Sequence, residues 1–194
     1  MKLLQSTLIL LCFLPGMGNA IEAFESTPSE TAMCKVKMRD YDPSLVSNPK
    51  DVGHMHHYCD CLRFANRALR YPSSDSRFKY NIGQAIDGCR YVIGHVSPSF
   101  YMLPSVYVAR GRAYLLAKDG GKAAGDFMKA LAIDRDFVPA YIGLIKFYQK
   151  IGNKEEALKT ATEGLKRNPD SRPLKRRYLK LGGEEPFPGA DIAQ

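Results

Sequence analysis

Apolar residues recur at intervals of three and four along most of the chain, which is the spacing of amphipathic α-helices. The first such stretch, residues 54–70, predicts a helix with one buried stripe, and a second helix is predicted over residues 76–95. Pro72 follows the first stretch and Pro98 follows the second, and proline cannot continue the hydrogen-bond ladder of a helix. The two stretches therefore predict an antiparallel helix pair.

Two more helix pairs and one short helix follow this pair. Helices are predicted over residues 104–117 and 122–133, joined by a turn with two glycines, and over residues 138–151 and 154–168, joined by a Gly-Asn turn. The short helix, residues 173–181, has one apolar edge that can cover the preceding pair while its basic residues face water. A stacked array of helix pairs needs an end cap of this kind.

The last two pairs are two copies of one 34-residue pattern without an insertion between them. The recurring pairs of positions are Tyr107 and Tyr141, Tyr114 and Tyr148, Ala123 and Ala157, and Leu131 and Leu165. Repeats of this period build an extended surface by stacking, and such a surface serves binding more readily than catalysis.

By these residues the two copies resemble tetratricopeptide repeats. The second copy carries the family pattern at Tyr141, Leu144, Tyr148, Gly152, Ala157, Leu165 and Pro169, and the first at Tyr107, Gly111, Tyr114, Ala123, Phe127, Ala130 and Leu131. The resemblance implies an all-α fold, a short right-handed α-solenoid of antiparallel helix pairs with a C-terminal capping helix. Three positions depart from the family pattern: Arg110, where leucine is usual, Ile145, where a small residue is usual, and Arg135, where proline is usual.

These patterns divide the chain into seven parts. We expect a signal peptide (1–20), an N-terminal extension (21–53), a diverged helix pair (54–98), two repeats (104–137 and 138–171), a capping helix (172–182) and a flexible tail (183–194). The string HHYCDCLRFANRA within the diverged pair also resembles a group of exported bacterial repeat proteins whose function is poorly characterised. That second resemblance implies no activity.

The signal peptide is predicted from the first twenty residues. Lys2 precedes an apolar run at residues 8–14, and a Pro-Gly break then leads to the small residues Gly18 and Ala20. The run is shorter than the roughly 20 apolar residues that cross a bilayer, and no second run of that length follows. We therefore expect a protein exported to the periplasm or secreted, without a transmembrane span after cleavage.

Charge and periodicity together suggest a binding groove. The chain has a formal net charge of +8, which favours anionic partners, although nucleic acid is not expected for an exported protein. In repeats of this family the first helices line the ligand groove, and Arg112, Lys146 and Lys180 stand there 34 residues apart. The other groove candidates are Lys150, Arg176, Val108, Leu115 and Ile142.

We expect such a groove to hold an acidic or amphipathic segment of a protein or peptide. The family's clamp for peptide C-termini is incomplete here, because Ala109 and Gly143 stand where that clamp has asparagines. Two alternatives remain open. Exposed helix positions often carry Lys or Arg, so the match can arise by chance, or the chain's own tail, with Glu184, Glu185 and Phe187, can fold back into the groove.

Four cysteines remain after removal of the signal peptide, and an even number in an exported chain is typical of disulfides. Three connectivities are possible. We favour a bridge between Cys34 and Cys59, which would pin the N-terminal segment to the first helix, and a bridge between Cys61 and Cys89 across the first helix pair.

The alternative for the same region is a metal-binding or thiol-redox protein that uses the cluster from His54 to Cys61. His54, His57 and Cys61 are the candidate metal ligands, because imidazole and thiolate bind zinc and copper. On a helix, however, Cys59 and Cys61 point about 200° apart around the axis and cannot easily grip one ion. We expect structural histidines and disulfides, and no cofactor.

An uncharacterised enzyme is the third alternative. The chain has no serine elbow, no phosphate-binding glycine loop and no convincing pair of catalytic carboxylates. The sequence therefore predicts a non-catalytic binding scaffold.

Overall fold

The computed structural model describes Cys34, Ser44 and residues 46–190, and in that part of the chain it contains helices and no strands. The predicted signal peptide and most of the N-terminal extension lie outside the described residues. A 3-10 helix, Pro49–His54, leads into seven α-helices. These are α1 (Met55–Ala68), α2 (Ser76–His95), α3 (Leu103–Leu116), α4 (Gly120–Ile133), α5 (Val138–Lys150), α6 (Lys154–Arg167) and α7 (Arg172–Lys180). The all-α stack of helix pairs expected from the sequence is confirmed.

Local sequence explains where several helices begin. The side chains of Asp75, Asp119 and Asn153 accept hydrogen bonds from the first-turn backbone N–H groups of α2, α4 and α6. Proline occupies the first turn of α3, α5 and α7, where its missing N–H costs no helical hydrogen bond.

The turn between α3 and α4 differs from the expected one. The two glycines expected to make this turn lie in the first turn of α4 instead, and Lys118 adopts the left-handed conformation with φ of 63°. The cap from Asp119 explains the early start of α4, because it holds the Lys122 N–H at 3.3 Å. The turn between α5 and α6 does use glycine in this conformation, since Gly152 has φ of 76°.

The helices form two layers. Each helix packs against its neighbours along the chain, and α3 also contacts α1 and α5. The first helices of successive pairs are thus in direct contact, which brings them to one side of the stack. We call the exposed surface of α1, α3, α5 and α7 the inner face.

Small residues set the spacing between the helices. Phe127 of α4 is completely buried between α3 and α5. A Cβ atom at Gly111 of α3 would lie 2.6 Å from its ring, and one at Gly143 of α5 would lie 2.5 Å from it. Both distances are shorter than real Cβ contacts, so glycine is required on both sides of the ring.

A buried ion pair joins α3 to α4. Arg110 contacts both carboxylate oxygens of Asp126, each at 2.8 Å, and Asp126 is 3% exposed. Burial alone would lower the pKa of Arg110, but the hydrogen bonds and charge of Asp126 outweigh it and raise that pKa. Arg110, which stands where the repeat pattern usually has leucine, is therefore paired with Asp126, sixteen residues later in the chain.

Disulfides hold the N-terminal part together. Cys61 of α1 is bonded to Cys89 of α2 and Cys34 to Cys59, with Cα–Cα distances of 5.3 and 5.4 Å. These are the pairings favoured from the sequence. Next to the first bridge, a Cβ atom at Gly88 would lie 2.8 Å from the His57 carbonyl oxygen, so α1 and α2 approach backbone to backbone.

The described end of the chain, residues 182–190, packs against the cap although it forms no regular helix. The Phe187 ring lies 6.2 Å from that of Tyr178, and the Lys175 ammonium is 5.0 Å from the centre of the Phe187 ring. Phe187 also joins the cluster that contains Leu165 and Leu174. Within the segment predicted to be a flexible tail, one aromatic side chain thus packs against an apolar surface.

We predict that Gly143→Ala destabilises the protein by about 1–3 kcal/mol, because the added methyl group must displace the Phe127 ring or separate the helices. Urea unfolding followed by circular dichroism measures the change. Gly125→Ala is the matched control, since a Cβ atom there meets nothing within 4 Å. Equal stabilities of the two variants would contradict the account of Phe127.

The ion pair generates a second prediction. Arg110→Leu introduces the residue that is usual in the repeats this segment resembles but leaves the Asp126 carboxylate buried without its partner, so we expect a loss of about 3 kcal/mol in unfolding free energy. The double variant Arg110→Leu with Asp126→Leu should recover most of that loss. A double variant as unstable as the single one would show that the charge of Asp126 is not the cause.

Candidate ligand groove

A cluster of basic side chains lies on the inner face. Arg112 of α3 and Lys146 of α5 are exposed, and Arg177 of α7 is half-buried. Burial lowers the pKa of Lys146, and the charges of Arg112 and Arg177 lower it further. Burial also lowers the pKa of Arg177, as do the charges of Arg176 and Arg112. We call Arg112, Lys146 and Arg177 the basic cluster.

The basic cluster has no acidic partner in the described part of the chain. The ion pairs found there involve other cations, and none of them includes Arg112, Lys146 or Arg177. Arg177 donates a hydrogen bond of 2.8 Å to the Pro173 carbonyl of its own helix. The three positive charges therefore repel one another, and no carboxylate of the described residues forms an ion pair with them.

The third member of the cluster differs from the sequence expectation. The 34-residue period predicted Lys180 as the third basic residue of the groove. In the structure, the charge from α7 that lowers the pKa of Lys146 is that of Arg177. Lys180 is exposed one helical turn further along α7, on the same side of the helix. The cap is a short helix outside the two repeats, so its residues need not follow the 34-residue period.

Helix α1 contributes Tyr58 to the same region. Burial raises the pKa of Tyr58 to about 12, and the Arg112 charge opposes that rise. Tyr58 is 5% exposed, in agreement with the buried stripe predicted for the helix over residues 54–70. Its proximity to Arg112 comes from the packing of α1 on α3, which the sequence pattern alone does not show.

The other predicted groove residues have mixed positions. Val108 is 3% exposed and packs in the core, so the expectation that it lines an open groove is wrong. Leu115 and Ile142 are half-buried against core clusters and retain some exposed surface. The Lys150 ammonium donates to the Leu115 carbonyl at 2.7 Å, which ties α5 to the end of α3. Arg176 is exposed and its charge acts on Arg177.

The described tail does not occupy the groove. Phe187 contacts the side of α7 that carries Lys175 and Tyr178. Lys175 and Arg177 lie about 200° apart around the helix axis, so Phe187 and the basic cluster belong to opposite sides of α7. Glu184 and Glu185 are exposed.

The cysteines give no support to the metal or thiol-redox alternative. Cys59 and Cys61 are both in disulfides, so Cys61 cannot join His54 and His57 as a thiolate ligand. Among the described residues, no group of three or more His, Cys, Asp or Glu side chains converges on a point that could hold a metal ion.

Comparison with known proteins identifies the repeated part of the chain. A profile of the tetratricopeptide repeat family matches residues 114–176, which run from the end of α3 into α7. No curated protein sequence and no solved structure matches the chain. None of the helices in the described residues has the length and apolar character needed to cross a bilayer. Residues 114–176 are therefore tetratricopeptide repeat sequence, as the doubled 34-residue pattern predicted.

Proposed function

We propose that this protein is a non-catalytic scaffold that binds an acidic or amphipathic segment of a protein partner on its inner face. The observation that carries the proposal is the basic cluster, three positive charges from the alternate helices α3, α5 and α7 with no acidic partner in the described chain. Burial is the main cause that lowers the pKa values of Lys146 and Arg177, and an anionic ligand would relieve the repulsion that lowers them further. The repeat family supports a protein partner.

Because the basic cluster is largely exposed to solvent, it can contribute only modestly to the affinity for an acidic segment. Exposed charge pairs each contribute about 0.2–1 kcal/mol, so three such pairs alone give weak affinity. Half-buried Leu115 and Ile142 on the same helices offer apolar contact beside the charges. The mixed surface favours a segment with acidic and apolar residues, whose association is steered by charge and weakened by salt.

We further propose that the mature protein is exported to the periplasm or secreted. Two disulfides support this proposal, because such bonds persist in oxidising compartments and are rare in the cytosol. The predicted signal peptide at residues 1–20 agrees with it.

The first test uses charge reversal. Arg112→Glu, Lys146→Glu and Arg177→Glu together should weaken binding of a fluorescent acidic, leucine-containing peptide at least tenfold, because attraction becomes repulsion. The control reverses three exposed lysines of the outer helices α2, α4 and α6, namely Lys79, Lys129 and Lys166. Both triple variants have the same net charge. Equal weakening in both would mean that overall charge, and not the inner face, attracts the peptide.

Export generates a separate prediction. Mature protein recovered without reductant from its native host should show no thiol that reacts with an alkylating reagent under denaturing conditions, and four after reduction, because all four cysteines are bridged. Mass spectrometry counts the added groups. Four reactive thiols before reduction would contradict both the disulfides and the oxidising location.

A further inference from the structure

All four histidines of the chain lie at one end of the first helix pair, although one of them is distant in sequence. His54, His56 and His57 stand where the 3-10 helix enters α1, and His95 is the last residue of α2. Tyr91 lies among them. Its ring centre is 3.8 Å from that of His57, 3.9 Å from that of His95 and 5.7 Å from that of His54.

We propose that His54 and His95 together anchor one divalent transition-metal ion, with Cu²⁺ as the best fit, and that water completes the coordination. The donor type supports this class of ion, because imidazole suits copper, nickel and zinc, and Cu²⁺ binds most tightly in the divalent series. The site differs from the predicted cysteine-containing cluster, since it needs no thiolate.

The distance between the two rings fits one shared ion. Their centres are 5.4 Å apart, with the ring planes inclined by 42°. With metal–nitrogen bonds of about 2.1 Å and roughly tetrahedral angles, two imidazoles on one ion have centres about 5 Å apart. The separation of the ring centres is therefore compatible with one shared ion, provided that a nitrogen of each ring turns toward it. A third protein ligand is not in place among the described residues, which is why water belongs to the proposed shell.

Hydrogen bonding prepares His95 as a ligand. Its Nδ1 lies 2.7 Å from the Tyr91 carbonyl oxygen, and because a carbonyl only accepts, Nδ1 carries the proton. The lone pair is then on Nε2, the arrangement by which proteins commonly orient metal-binding histidines. For His54, the described residues show no hydrogen bond to either ring nitrogen, so both ring nitrogens can reorient.

The backbone beneath the two histidines is held in place. Asp51, three residues before His54, is 2% exposed, and its Oδ1 accepts from the Ser97 N–H at 2.9 Å and from the Ser97 hydroxyl at 3.2 Å. Ser97 is two residues after His95. The disulfide between Cys61 and Cys89 also joins α1 to α2 below the cluster. The two segments that carry His54 and His95 are thus joined by hydrogen bonds through Asp51 and by a disulfide.

The test is titration of Cu²⁺ into the tag-free, disulfide-bonded mature protein, followed by calorimetry and electron paramagnetic resonance. We expect one equivalent bound and nitrogen hyperfine coupling from two imidazoles. The double variant His54→Gln with His95→Gln should bind at least tenfold more weakly and lose that coupling. Both residues lie at the surface, and an unchanged thermal unfolding curve would show that the variant folds.

His56→Gln is the matched control. The ring contact found for His56 in the described residues is with His57, at 4.0 Å between ring centres, and not with His54 or His95, so we expect binding within about threefold of the unchanged protein. Tight binding that survives the double substitution, or that falls equally in the His56 variant, would overturn the site. Neither result would bear on the basic cluster, which lies on α3, α5 and α7.

Discussion

The burial of the Phe127 ring between two glycines is the contact on which the inner face depends. Gly111 and Gly143 do not occupy equivalent positions of the two repeats, yet each removes the side chain that would meet the same ring. The absence of both Cβ atoms allows α3 and α5 to approach α4 closely. Arg112 directly follows Gly111, and Lys146 comes one turn after Gly143. The packing of Phe127 thus influences the spacing of α3 and α5, the helices that carry two members of the basic cluster.

The two ends of the array are stabilised by different means. At the N-terminal end, the disulfide between Cys61 and Cys89 and the close approach at Gly88 join α1 to α2. At the C-terminal end, fully buried Leu174 of α7 covers the last pair, and Phe187 packs on the outer side of that helix. A disulfide thus stabilises the N-terminal end and apolar burial stabilises the C-terminal end. The inner face between the two ends is not covered by the described residues.

The helices could be predicted from the sequence to within about two residues, because apolar periodicity and proline breaks are local signals. Contacts between helices were harder to foresee. The pair of Arg110 and Asp126 depends on how α3 and α4 face each other, and Tyr58 reaches Arg112 only through the packing of α1 on α3. The 34-residue period relates Arg112, Lys146 and Lys180, but it does not indicate that Arg177 of the cap helix lies near Lys146. The sequence does not place His95 beside the other histidines. It predicts that α1 and α2 form an antiparallel pair, but not which residues of the two helices face each other.

The central claim is that the inner face binds an acidic segment, and amide chemical-shift mapping tests it most directly. An acidic, leucine-containing peptide is titrated into isotopically labelled mature protein at low salt, and shift changes are recorded residue by residue. The account predicts that the largest changes cluster on α3, α5 and α7 around Arg112, Lys146 and Arg177. Changes concentrated on the outer helices α2, α4 and α6, or spread evenly over all exposed basic residues, would contradict it.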